Sequence, residues 1–151
     1  GDSVSVINTA TDTAPNAPIT SNIGAIPLAL AITPDGTKVY VANFYDDSVS
    51  VINTATDTAP NAPITSNIGD GPRALAITPD GTKAYVANQS SDSVSVINTA
   101  TDMVSATITS NIGNGPIALA IATFNLTERL IQSVVKHSPI KAQKGILFRS
   151  N

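Results

Sequence analysis

Residues 47–53 read Asp-Ser-Val-Ser-Val-Ile-Asn, and residues 78–88 read Thr-Pro-Asp-Gly-Thr-Lys-Ala-Tyr-Val-Ala-Asn. Both stretches recur 45 residues earlier, the second with one change, and the first recurs again 45 residues later. When residues 2–46 are aligned with residues 47–91, only seven of the 45 pairs differ. A fixed period of this length is typical of propellers, solenoids and other repeat arrays.

The third copy of the repeat is partial. It lacks one residue early on, so that Ile108 corresponds to Ile64, and the match ends at Thr123. The chain therefore holds about 2.7 repeats of 45 residues, at 2–46, 47–91 and 92–123. We assign residues 1–123 to one repeat domain and residues 124–151 to a tail that does not belong to the repeat.

Each full repeat contains four short segments with the composition of β-strands. Ser48 to Ile52 alternates polar and apolar residues with the period of a strand. Pro79-Asp80-Gly81 has the residues of a tight hairpin turn, since Pro presets φ and Gly takes a positive φ. The pattern predicts four strands per repeat, which in the second copy span residues 48–52, 64–68, 74–78 and 83–87.

The predicted strands carry apolar side chains on both faces. Val49 and Val51 alternate onto one face and Ile52 onto the other, while Leu75 and Ile77 share a face. A sheet packed between two neighbouring sheets needs this pattern, whereas a sheet with one wet face does not. We therefore predict an all-β fold of antiparallel four-stranded blades, which is the unit of a β-propeller.

The repeat resembles the YVTN-type β-propeller repeat. The resemblance covers about residues 2–122, and Tyr40-Val41-Ala42-Asn43 and its copy at 85–88 match the four residues that name it, with Ala in place of Thr. It implies a closed propeller of seven blades, found in archaeal surface-layer proteins and in secreted or periplasmic bacterial proteins, and no single activity. Because closed propellers typically have 4–8 blades, we expect an open or partial propeller here, excised from a larger one or closed by assembly.

The tail at residues 124–151 differs from the repeats in charge and pattern. Residues 1–123 carry three basic residues and ten Asp, whereas the tail carries five basic residues and one Glu. Apolar residues at helical spacing predict a short helix over 125–137. Two explanations remain open: a capping or docking segment, or an unrelated end from a truncated or frame-shifted gene. The chain begins at Gly1 without a Met, so we expect either processing or a piece of a longer protein.

Composition excludes several kinds of site. The chain has no Cys and one His, His137 in the tail, so thiolate metal sites, disulfides and a Ser-His-Asp triad within the repeats are excluded. The acidic repeat domain argues against nucleic-acid binding, and no apolar run is long enough for a membrane helix. We predict no catalytic residue, no metal and no cofactor. Asp46-Asp47 near Asn43 is a weak calcium candidate, and Asn88-Gln89-Ser90 and Asn125-Leu126-Thr127 match the glycosylation pattern.

The candidate binding residues lie where the two full repeats differ. Phe44 and Tyr45 are replaced by Gln89 and Ser90 in the second copy, and Leu28 is replaced by Arg73. Variation within an otherwise near-identical repeat is where binding specificity would reside. The weak ligand-binding candidates are therefore Phe44, Tyr45, Arg73 and Gln89, while Tyr40 and Tyr85 are expected to pack between blades.

The sequence is compatible with three functional hypotheses. The leading hypothesis is a non-catalytic extracellular, cell-surface or periplasmic propeller that serves as a structural or protein-interaction module. Its partner would be another protein, or a second copy bound through open blade edges. The alternatives are a fragment of a lactonase-like or quinoprotein-like propeller enzyme, and a lectin-like sugar binder closed by several copies.

Overall fold

The computed structural model describes residues 1–123 and the backbone of residues 146–150, and all regular structure in these ranges is β-strand. The described residues contain no helix whose length and apolarity would let it cross a membrane. The strands are β1 (Pro27–Ile32), β2 (Lys38–Asn43), β3 (Ser48–Asn53), β4 (Pro72–Ile77), β5 (Lys83–Asn88), β6 (Ser93–Asn98), β7 (Met103–Ile108), β8 (Leu119–Thr123) and β9 (Ile146–Ser150).

Two antiparallel sheets make up most of the fold. Blade I contains β1, β2 and β3 in that order, and blade II contains β4, β5, β6 and β7. Tyr40 pairs with Val51 in blade I, and Tyr85 pairs with Val96 in blade II, so the register repeats with the sequence. The predicted four-stranded antiparallel blade is confirmed in blade II, and the chain is a partial propeller.

The fourth strand was predicted at the wrong place. Of the segment 64–68, only Ile64 pairs with the sheet, through an isolated bridge to Val49. In blade II the fourth strand is β7, and it ends at Ile108, the residue equivalent to Ile64. The strand therefore lies before the predicted segment in the sequence. The corresponding segment of blade I contains Pro60 and Pro63, which lack the N–H that a ladder requires. The edge of blade I is therefore an irregular segment.

Residues 2–19 form a third copy of the outer part of a blade, here called the N-terminal outer pair. Val4 bridges Ile19 and Asn8 bridges Thr13. The same two bridges join Val49 to Ile64 and Asn53 to Thr58 in blade I. Identical sequence thus gives identical local geometry, although no inner strand of its own accompanies the N-terminal outer pair in the described part of the chain.

The core lies between neighbouring blades. Tyr40 and Val49 of blade I pack with Ala84, Val86 and Ile97 of blade II. A second cluster joins the N-terminal outer pair to the other face of blade I, and its buried members are Ile19, Val41, Ile52 and Ala59. Strand β3 thus buries Val49 on one face and Ile52 on the other, which confirms the prediction of two apolar faces.

Beyond blade II the chain continues into β8, which pairs in parallel with β9. The sequence indicated no regular structure for residues 140–151, so β9 was missed. The predicted helix at 125–137, His137 and the second glycosylation motif all lie outside the described residues.

Candidate functional site

One end of the two blades collects nearly all the sequence differences between the repeats, and we call it the variable rim. It consists of the turns after β2 and β5, the loops that enter β1 and β4, and the first two residues of those two strands. Backbone hydrogen bonds tie these parts together, from Phe44 N to Ile26 O (2.9 Å) and from Gln89 N to Gly71 O (2.8 Å). Six of the seven differing pairs lie here, and the seventh, Val39/Ala84, lies within the strands.

The structure brings two of the candidate binding residues into direct contact. Arg73 Nη1 donates a hydrogen bond to Gln89 Oε1 at 2.8 Å on the protein surface. Arg73 is the second residue of the inner strand β4, and Gln89 begins the turn after β5. Blade I has the apolar residues Leu28 and Phe44 at these two positions, so the two exchanges replace an apolar pair by a polar one.

The other two candidates supply aromatic surface. Tyr45 is 73% exposed, whereas Phe44 is half-buried. Phe44 lies against the loop of the next blade, because a side-chain carbon added at Gly71 would come within 3.1 Å of its ring. The rim therefore continues across the junction between blades I and II, from Tyr45 and Phe44 towards Arg73 and Gln89.

The loop entering β1 holds an unusual backbone conformation. Ile26 has a φ of +54° and a side chain that is 46% exposed. Gly71 occupies the same place in blade II with a φ of +64°, which is a relaxed conformation for glycine but a strained one for a β-branched residue. Strain of this kind concentrates at functional sites, so Ile26 belongs to the candidate rim.

The Asp residues of the rim fix its loops. Asp46 Oδ2 accepts from Ala25 N and Asp47 Oδ1 accepts from Gly71 N, both at 2.7 Å. The latter bond crosses between blades and is repeated by Asp92 with Gly115 N. The calcium expectation for Asp46-Asp47 finds no support, because the two carboxylates hold different loops. No group of three or more metal-ligating side chains occurs among the described residues.

Buried Asn residues support the rim from below. Asn43 Nδ2 donates to Ser48 Oγ (3.0 Å) and Ser50 Oγ (2.9 Å), and Asn88 makes the same pair of bonds in blade II. Both Asn side chains are fully buried, and their Oδ1 atoms find no protein donor. A fully buried Asn88 cannot accept a glycan in this fold, so the first glycosylation motif is a structural element.

The opposite rim carries the two Pro-Asp-Gly turns. A groove of about 710 Å³ lies there between the blades, lined by Asp35, Lys38, Asp80 and Thr99 among others. Asp35 Oδ1 accepts from Thr33 Oγ1 (2.6 Å), Thr37 N (3.0 Å) and Thr37 Oγ1 (2.9 Å). These bonds lower the pKa of Asp35, the Thr33 hydroxyl most strongly, and Asp80 repeats the arrangement. The predicted hairpin turns are confirmed, and their carboxylates serve the turns themselves.

The sequence did not predict a charged contact that the structure shows across the blade junction. Lys38 Nζ lies 2.8 Å from Asp102 Oδ2 and donates to Thr99 O at 2.8 Å. The Tyr40 hydroxyl donates a short hydrogen bond to the same carboxylate. Burial, together with this bond, raises the pKa of Tyr40 far above its usual range. The predicted inter-blade packing of Tyr40 is confirmed, but sequence gave no signal for a partner 62 residues away.

Comparison with known proteins places this fold in a family. A model of a family described as lactonase, seven-bladed β-propeller, matches residues 5–116. The Kuenenia stuttgartiensis hydrazine synthase structure superposes with a TM-score of 0.68 at 30% identity, over 80% of this chain and 33% of that one.

A functionally unknown protein from Desulfotomaculum acetoxidans DSM 771 gives a TM-score of 0.52 at 26% identity, over 70% of this chain and 32% of its own. The chain thus spans about a third of the solved chains it resembles. No curated protein matches it. Since the family model covers most of the repeat domain, the chain belongs to the lactonase family of seven-bladed β-propellers.

Proposed function

We propose that this chain is part of a non-catalytic propeller whose variable rim binds a protein partner. The observation that carries the proposal is the placement of six of the seven repeat differences at one rim, around the exposed Tyr45 and the Arg73–Gln89 pair. Elsewhere the two full repeats differ only at Val39/Ala84. The rim is the part of the surface where residues are exchanged without disturbing the core.

The chemistry of the rim suits protein recognition. Tyr and Arg are enriched among the residues that dominate binding energy at protein interfaces. Tyr45 offers an exposed aromatic surface, and the Arg73 guanidinium has donors left beyond the one used by Gln89. We expect a partner segment with a carboxylate or carbonyl group for Arg73 and an apolar residue for Tyr45 and Phe44.

The proposed location is extracellular, at the cell surface or in the periplasm. Its support is the richness in Thr, Ser and Asn, the charged fraction of only 13%, and the resemblance to the YVTN-type repeat. A surface-layer role would use the propeller as a rigid scaffold. Fractionation of the source cells tests the location independently of the partner. The proposal expects the native protein in the medium, at the cell surface or in the periplasmic fraction.

The second candidate is an enzyme, favoured by the description of the matching family as lactonase. Propeller sites of that kind need acids, His or Arg from several blades around the axis. Residues 1–123 contain no His and no Glu, and Arg73 is the one Arg among them. An enzyme would therefore depend on blades other than the two described here, and the non-catalytic role is preferred. The lectin-like alternative has no residue-level support beyond the exposed aromatic Tyr45.

Selection of a displayed random peptide library against the purified chain tests the proposal. Peptides that bind the wild type should lose at least tenfold in affinity for Arg73→Ala or Tyr45→Ala. The control, Thr82→Ala on the opposite rim, should bind them normally. Equal affinity of selected peptides for all variants would contradict a binding rim.

A parallel assay with glucono-δ-lactone separates the two candidate functions. We expect acid release at the rate of buffer alone. Turnover above that rate, reduced in Arg73→Ala, would establish the enzyme alternative instead.

A further inference from the structure

The N-terminal outer pair has one unpaired edge, on the side that faces the propeller axis in the complete blades. Val4 exchanges two backbone hydrogen bonds with Ile19 on the outer side. Because backbone polar groups alternate between the two edges of an extended segment, Ser3 and Ser5 direct theirs to the inner side. Neither residue makes a backbone hydrogen bond within the described part of the chain. In blade I the same edge of β3 is paired with β2 over its whole length.

A groove lies between this open edge and the inner strand of blade I. It has a volume of about 280 Å³, and its lining residues include Ser3, Val4, Ser5, Leu28, Leu30 and Val41. Leu28 and Leu30 are 48% and 59% exposed, so its inner wall is apolar and uncovered. In blade I the equivalent place is held by β2, which pairs with β3 and contacts β4 of the next blade. The groove therefore has the position that a second strand takes in a complete blade.

The hydroxyls at the open edge lack the partner that their equivalents have. In blade I, Asn43 Nδ2 donates to Ser48 Oγ at 3.0 Å and to Ser50 Oγ at 2.9 Å. Ser3 and Ser5 occupy the same repeat positions, and their side chains make no hydrogen bond among the described residues. An Asn at the end of an incoming strand would donate to both hydroxyls.

A third group without its repeat partner is Asp57 of blade I. The equivalent Asp102 of blade II accepts from Lys38 Nζ at 2.8 Å and from the Tyr40 hydroxyl, and both donors belong to β2 of the preceding blade. Asp57 has a φ of +51° and Asp102 a φ of +54°, so the two turns have the same conformation. The half-buried Asp57 carboxylate has no hydrogen-bond or ionic partner within residues 1–123. A strand in the groove with Lys and Tyr two residues apart would supply both donors.

We propose that this groove binds a β-strand with the pattern Lys-x-Tyr-Val-Ala-Asn, and that a further copy of the repeat supplies the strand. The strand pairs antiparallel with residues 3–8, in the register that β2 has on β3. Its Lys and Tyr donate to Asp57, its Asn donates to Ser3 and Ser5, and its Tyr covers the wall formed by Leu30. The same contacts hold β2 in blade I, so the site continues an interface that the fold already contains. Strand addition of this kind takes its affinity from backbone hydrogen bonds and its specificity from alternate side chains.

Binding of a synthetic peptide to the full chain tests the inference. The probe is a fluorescently labelled peptide with the sequence of residues 36–44, and its anisotropy is measured against the concentration of the chain. We expect saturable binding, which Tyr40→Ala in the peptide should weaken about tenfold, as expected for an aromatic anchor. A scrambled peptide of the same composition is the control. A lack of saturable binding, or equal binding of all three peptides, would overturn the proposal.

The charged contact tests the register of the bound strand. Asp57→Asn keeps the left-handed turn and should weaken peptide binding about three- to tenfold, because the Lys and Tyr donors lose a carboxylate. Lys38→Ala in the peptide should add little to that loss, since both changes remove the same contact. Asp12→Asn changes the equivalent turn of the N-terminal outer pair, away from the groove, and is the matched control. Fully additive losses, or an equal loss with Asp12→Asn, would contradict this register.

Changes in the peptide backbone test strand pairing without altering the protein. Val41 lies opposite Ser50 in blade I, so the same valine of the peptide should lie opposite Ser5. N-methylation at that valine removes the N–H that faces the chain and should abolish binding. N-methylation at the next residue, Ala42, modifies the free edge of the peptide and should be tolerated, because N–H groups alternate between edges. Equal effects at the two positions would exclude strand addition.

Two further measurements separate this site from other possibilities. Excess unlabelled peptide should leave the association state of the chain unchanged in sedimentation. A dimer that the peptide dissociates would show that a second copy fills the groove, and would overturn the proposed occupant. Arg73→Ala on the variable rim should leave binding of this peptide unchanged, and Asp57→Asn should leave binding of rim-selected peptides unchanged. The two proposals therefore fail separately.

Discussion

Blades I and II have nearly the same sequence but different surroundings. Tyr40 is fully buried, whereas Tyr85 at the equivalent place is half-buried. Leu30 is 59% exposed, whereas its equivalent Leu75 packs against the inter-blade core. The repeat supplies both faces of every blade with apolar residues, and the position of a blade in the array decides which of them are covered. Equal sequence therefore does not mean equal contribution to stability.

The outer edges of the two blades differ for a local reason instead. Blade II ends in the regular strand β7, with Val94 paired to Ile108 and Val96 paired to Ala106. Blade I has only two isolated bridges in the same region, Val49 to Ile64 and Asn53 to Thr58, and two prolines lie between Thr58 and Ile64. A missing N–H at an edge also blunts unwanted strand pairing, so the irregular edge protects blade I from association at that side.

The largest expected difference concerns the two tyrosines. Tyr40→Ala should lower the free energy of unfolding by about 4 kcal/mol, because it leaves a cavity between blades and strips Asp102 of a partner. Tyr85→Ala should cost about 1–2 kcal/mol, since the side chain is only partly covered. Urea unfolding of both variants measures this, and equal losses would show that position in the array does not control burial.

The next comparison exchanges the outer edges. Replacing residues 103–107 by the six residues 58–63 should abolish β7 and cost about 2 kcal/mol, since several ladder hydrogen bonds are lost. Hydrogen exchange at Val94 and Val96 should then accelerate. The reciprocal graft into blade I should add a strand and slow exchange at Val49. A regular strand that survives in the first graft would mean that the prolines are not the cause.

A smaller effect is expected at the contact of Lys38 and Tyr40 with Asp102 across the blade junction. Asp102→Asn should cost about 1 kcal/mol, because a partly shielded ion pair with Lys38 is lost while the turn is kept. Asp57→Asn changes the same turn of blade I, where the carboxylate has no partner among the described residues, and should be nearly neutral. A double-mutant cycle with Lys38→Ala should assign the loss to the pair. Without coupling between Asp102 and Lys38, the ion pair would contribute nothing to stability beyond packing.

The smallest expected effect is on the pH dependence of unfolding, and it should be the same in both blades. Hydrogen bonds from Thr33 and Thr78 hold the pKa values of Asp35 and Asp80 below the ordinary 3.8. The stability from these carboxylates is therefore present above that pH and is lost as pH falls through the lowered folded values. Asp35→Asn and Asp80→Asn should each weaken the acid dependence of unfolding by the same amount. Unequal changes would show that these turns sense the rest of the array.

Much of the architecture follows from the sequence by itself. The 45-residue period, the alternation around Val49 and the Pro79-Asp80-Gly81 turn determine the blades, since each depends only on neighbouring residues. The candidate rim residues were also identified from sequence, because near-identical repeats make their differences stand out. The sequence prediction failed at the outer strand, which it placed at 64–68 although β7 ends at the residue equivalent to Ile64. It also failed at β9, which depends on a distant partner strand.

Tertiary structure alone decided what each repeated residue does. Lys38 and Asp102 are 64 residues apart and meet because neighbouring blades stack, while the identical Lys83 stays exposed. Likewise, the contact of Arg73 with Gln89 joins the start of β4 to the end of β5. Local pattern fixes which face of a strand is apolar, because side chains alternate along it. Which apolar face is covered, and which charge finds a partner, is decided only when the blades pack together.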